Sequence, residues 1–161
     1  MFIDSRRYSG KASNRMFDIV EHTREEWREL GYYYEFDKNI KRWRLVGSRS
    51  GLSNLVTQFR DFATRIHQHS LGEHDHLGPY SYFTLVLADA PAITDYGVFG
   101  SADDFVRFAH LLEEGLKTAL PGRSIVIDNE YSTENEAWLE LFIEGDNFDP
   151  SEADDFEWAN R

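Results

Sequence analysis

A chain of 161 residues is enough for one domain with a single sizeable core, and its 15% aromatic content excludes a disordered chain. It has no cysteine, which excludes disulfide frameworks, thiol nucleophiles and cysteine-ligated metal centres. The net charge of −12 is uneven: residues 1–72 hold 13 basic and 9 acidic side chains (+4), whereas residues 73–161 hold 4 and 20 (−16). Such a field repels phosphate backbones and acidic lipid surfaces and draws in basic partners, so direct nucleic-acid binding is disfavoured. Met1-Phe2-Ile3-Asp4-Ser5-Arg6-Arg7 lacks the apolar core of a signal peptide, and no apolar run approaches the roughly 18 residues of a membrane span. A cytoplasmic protein with no membrane association is expected.

In chain order, the polar residues 1–15 suggest a mobile arm outside a single domain of residues 16–145. Thr23-Arg24-Glu25-Glu26 has the spacing of a capping box and predicts a short helix that Gly31 ends. Two aromatic and β-branched runs, 32–36 and 42–46, flank the polar Asp37-Lys38-Asn39 and predict an antiparallel hairpin, with Trp43 and Leu45 facing inward and Arg42 and Arg44 outward. Leu52, Leu55, Val56, Phe59, Phe62, Ala63 and Ile66 then repeat at the helical period. Residues 73–80 read as a loop stopped by Gly78-Pro79, and residues 80–87 as a central strand.

Residues 88–94 read as a connection and 96–99 as a short strand. Ser101 and Asp104 cap a helix whose buried stripe is Phe105, Phe108, Ala109, Leu112 and Leu116. Residues 124–129 and 137–144 predict a closing hairpin, followed by an acidic, aromatic segment at 146–161. The order predicts an α+β fold in which two principal helices cover one mainly antiparallel sheet.

Three stretches could carry chemistry. In Glu73-His74-Asp75-His76-Leu77-Gly78-Pro79-Tyr80, an extended backbone puts His74 and His76 on one side and the carboxylates of Glu73 and Asp75 on the other. A structural role ranks first for this loop, a partner contact second, and a divalent-metal or catalytic site using His74 and His76 third; its spacing matches no established zinc motif. A third ligand would have to come from His22, His67, His69 or His110. Gly47-Ser48-Arg49-Ser50-Gly51 could hold an anion at a helix start, but it lacks the Gly-Lys-Ser/Thr of a P-loop and reads more simply as a cap. In the last segment, Asp146, Asp149, Asp154 and Asp155 surround Phe156 and Trp158, the pattern of a contact surface for a basic protein or of docking onto the chain's own basic first half. No catalytic residue is assigned and no cofactor is expected.

The stretches 24–31 and 41–48, and above all the Glu-His-x-His-x-Gly-Pro-Tyr pattern at 73–80, resemble a group of small bacterial proteins of unassigned activity. In type, as a small, acidic, cysteine-free single domain, the chain also resembles bacterial immunity proteins, which neutralise basic toxins. That likeness implies an interaction protein with a basic partner; the alternative is a metal-dependent hydrolase using His74 and His76.

Overall fold

The computed structural model describes the backbone of residues 6–66 and 70–160, and the side chains of 15–66 and 70–159. It opens on α1 (Arg6–Leu30), followed by β1 (Tyr32–Asp37), β2 (Arg42–Ser48) and α2 (Arg49–Arg65). Next come β3 (His74–Leu77), β4 (Phe83–Leu87), β5 (Ala92–Thr94), β6 (Gly97–Gly100) and α3 (Ala102–Thr118). The chain closes with β7 (Ser124–Ile127), β8 (Trp138–Glu144) and two 3-10 turns, Pro150–Glu152 and Glu157–Asn160.

The fold is α+β. Its strands form two four-stranded sheets where one was expected: β1-β2-β8-β7 and β3-β4-β6-β5. Each sheet is antiparallel except at its centre, where β2 pairs with β8 and β4 with β6 in parallel. The predicted hairpins are both present, β1 with β2 and β7 with β8. The alternation also holds, since Trp43 and Leu45 are buried. On the opposite face Arg44 meets Glu35 at 3.2 Å and lies over the ring of Phe142.

Helices α2 and α3 bury the stripes their periodicity predicts and pack against each other through Phe59 stacked on Phe108, with ring centroids 4.5 Å apart, and Phe62 edge-on to Phe105. Phe59 has no exposed surface, so truncating it to alanine costs about 3–5 kcal/mol. Ser101 and Asp104 make the expected reciprocal cap on α3. At the start of α2 the Ser48 hydroxyl accepts from Gly51 N at 3.0 Å, and the Arg49 guanidinium donates to the Ala119 carbonyl. The Gly47–Gly51 turn is therefore a helix cap held to the end of α3, with its arginine directed to protein.

Three local expectations are corrected. The short helix expected from Thr23 is the last part of the 25-residue α1, whose backbone is helical from Arg6 onward; of the arm expected at 1–15, residues 1–5 lie outside the described residues. Thr23 sits inside that helix with its hydroxyl on the Ile19 carbonyl at 2.8 Å, because a Thr-x-x-Glu spacing fits a helix interior as well as a helix start. Residues 74–77, expected as loop, are an edge strand, and residues 92–94, expected as connection, are another. Among the described residues no helix is long and apolar enough to cross a membrane.

Candidate functional site

The Glu73–Tyr80 stretch is built outward from β3. His74 and His76 pair across the ladder with Val86 and Thr84, so their side chains share one sheet face, while Asp75 points to the other and is ion-paired with Arg65 of α2. The His74 ring binds the Gly72 carbonyl through Nδ1 at 3.0 Å, and the His76 Nδ1 meets the Thr84 hydroxyl at 3.1 Å. The two rings stand 4.9 Å apart, centroid to centroid. Among the described residues, no group of three or more histidine or carboxylate side chains is placed to hold a metal; His67 and His69 lie outside them.

Beyond β3 the chain turns at Gly78 over the ring of Tyr34, whose hydroxyl donates to the Leu77 carbonyl and accepts from Tyr82 N at 3.3 Å. Tyr80 then reaches the C-terminal segment, where its hydroxyl donates to Asp154 Oδ2 and accepts from the Trp158 indole at 2.8 Å. Asp154 is buried and also accepts from Trp27 Nε1 at 3.0 Å and from Phe156 N at 2.9 Å. One carboxylate thus ties together α1, the loop after β3 and the last turns of the chain.

The expected acidic contact surface divides along this line. Arg28 pairs with Asp149 at 3.2 Å and Arg24 lies 4.7 Å over the Phe156 ring, so the segment docks on the basic side of α1 through Asp149, Asp154 and Phe156. Burial opposes the charge on Asp149, but the hydroxyl and N–H of Ser151 and the Arg28 guanidinium outweigh it and hold the carboxyl below its usual range. Asp146 and Asp155 are exposed, and Trp158 keeps 38% of its surface in solvent.

Sequence reasoning missed a cleft of about 720 Å³ that opens beside this junction. Seven of its lining side chains are aromatic: Tyr33, Tyr34 and Phe36 from β1, Trp43 from β2, Tyr80 and Tyr82 from the loop before β4, and Tyr96 from the β5–β6 turn. Glu35, Lys38 and Asp95 supply its charges. Tyr82 stacks on Tyr80 with ring planes at 28°, and Tyr82 and Tyr96 are 69% and 58% exposed. The Trp43 indole is fixed on the Thr94 carbonyl at 2.7 Å. Burial pushes the Tyr34 phenol up to about 12; burial and the Asp154 acceptor also push Tyr80 up, so both stay hydrogen-bond donors at neutral pH. A legible signal was the density of tyrosines on either side of the predicted strands, but the cleft draws on segments more than forty residues apart.

The fold and cleft together define an α+β protein of two mixed four-stranded sheets with an open aromatic recess between their ends. No known family, no curated protein and no solved structure matches the chain.

Proposed function

We propose that the protein is an interaction module that binds a basic protein partner, with the aromatic cleft as the centre of the contact and the exposed Asp155, whose charge acts on Tyr33 of the cleft lining, beside it. The observation that carries the reading is the set of seven aromatic side chains around an open cleft, two of them largely in solvent. Tyrosine and tryptophan dominate binding energy at interfaces, and their negative ring faces accept guanidinium and ammonium groups. The charge of −16 over residues 73–161 favours a cationic partner and speeds encounter at low salt. Lys38, on the cleft wall, offers a single cation among these acids for an acidic group of the partner. A basic toxin neutralised in the manner of immunity proteins is a partner of this chemistry.

A photo-crosslinking phenylalanine analogue at Tyr82, used in the native host, tests the reading. The expected product is one basic protein, whose affinity for the purified chain falls about 10-fold or more in Tyr82→Ala and Tyr96→Ala and declines with added salt. Failure to crosslink any protein, or an acidic partner indifferent to both substitutions, refutes it.

A further inference from the structure

We infer that His74 and His76 form a two-imidazole chelate for a borderline divalent cation, of the Zn²⁺, Ni²⁺ or Cu²⁺ class, on the outer edge of the second sheet. This does not rest on the proposed partner interaction and can fail or hold separately from it. It begins with register: residues two apart on a strand project to one face, and the ladder positions of His74 opposite Val86 and His76 opposite Thr84 show the strand to be regular here. The rings that result are 4.9 Å apart. Two imidazoles on one tetrahedral metal, each nitrogen about 2.0–2.1 Å from it, hold their centroids about 5 Å apart.

The second argument is the tautomer. A carbonyl oxygen only accepts, so the contact of His74 Nδ1 with the Gly72 oxygen at 3.0 Å places a proton on Nδ1, and in the neutral ring the lone pair is then on Nε2. A second-sphere bond from the far ring nitrogen to a carbonyl or hydroxyl is how metal-ligating histidines are oriented. His76 Nδ1 meets the hydroxyl of Thr84, a residue only 1% exposed, and when that hydroxyl accepts, the lone pair of the neutral His76 ring falls likewise on Nε2. Both histidine side chains are exposed, so a cation reaches them without any opening of the fold. Asp75 is held on the opposite face by Arg65, so among the described residues no further side chain is assigned to the cation, whose other positions are open to water or to a side chain of a bound partner. Imidazole ligands with no thiolate select this borderline class over calcium or magnesium.

Isothermal titration of the untagged full chain with zinc chloride, repeated with nickel, tests the assignment. The expected result is one saturable site, weakened about 10-fold or more in both His74→Ala and His76→Ala, with circular dichroism and thermal midpoint unchanged in metal-free protein. Thr84→Ser, which retains the hydroxyl, keeps the affinity. With Cu²⁺, the electron spin-echo signature is that of two equatorial imidazoles in the parent and one in either variant. No saturable site up to about 1 mM metal, or binding that persists in the double variant, overturns the inference.

Discussion

Replacing Asp154 with alanine removes the acceptor on which three elements converge. Trp27 has no exposed surface and its indole N–H donates to Asp154 Oδ2 at 3.0 Å; without the carboxylate that donor is buried unsatisfied, at about 1–3 kcal/mol. Phe156 N loses its acceptor at a residue held at φ 51°, while the half-buried Tyr80 hydroxyl turns toward water at smaller cost. Together these losses destabilise the protein by about 3–4 kcal/mol, a figure for a truncation that breaks a buried polar network. The assay is urea denaturation followed by far-UV circular dichroism, which a change of tryptophan does not compromise. In a Trp27→Phe background the indole donor is gone, so Asp154→Ala costs about 1–2 kcal/mol less than in the parent. Additivity of the two substitutions within about 0.5 kcal/mol would show that the Trp27–Asp154 bond contributes nothing, and would refute the account of the C-terminal segment as docked through this carboxylate.

Two further outcomes follow from the buried phenols and from the glycine turns on either side of β3. Burial raises the phenols of Tyr32, Tyr33, Tyr34, Tyr80 and Tyr131, with Tyr34 at about 12. Below about pH 10 these phenols are protonated in both the folded and the unfolded chain; above it the unfolded chain ionises first, so stability is lost as pH rises toward 12. Ultraviolet titration should show them ionising together with the loss of circular dichroism, and ionisation of all five near pH 10 in an intact fold would contradict the burial. Gly78 and Gly72 separate conformation from contact, since both have positive φ, +80° and +93°. A Cβ at Gly78 would lie 2.6 Å from Tyr34 Cε1, whereas one at Gly72 would meet nothing within 4 Å. Gly78→Ala therefore costs about 2–4 kcal/mol and Gly72→Ala about 1–2, as read from urea midpoints; equal costs would mean that Tyr34 yields freely.

Much of the local structure was legible because it depends on short spacings. The stripes of α2 and α3 follow from apolar residues three and four apart, and the side alternation of His74, Asp75 and His76 follows from the two-residue period of an extended chain. The errors came where a local pattern has two readings. Thr-x-x-Glu at 23–26 suits a helix start or a helix interior, and only the helical conformation of the polar residues before it separates the two. Histidines and aspartate in residues 74–77 lower strand propensity, yet the segment is a strand because β4 offers it a ladder.

Composition and periodicity alone determined the α+β class, the two amphipathic helices, the two hairpins, the absence of thiol chemistry and the negative field of residues 73–161. The tertiary structure decided the rest. It divided the strands between two sheets, paired Arg42 with Trp138 across a parallel ladder, and gathered residues 33 to 96 around one cleft. It also placed Asp154 against Trp27, 127 positions away, which docked part of the C-terminal segment on the first half of the chain, one of the two roles its sequence left open. The physical reason is range: backbone geometry fixes which side chains share a face within a few residues, whereas contacts between distant segments depend on burying all those faces at once, a choice that no local spacing encodes.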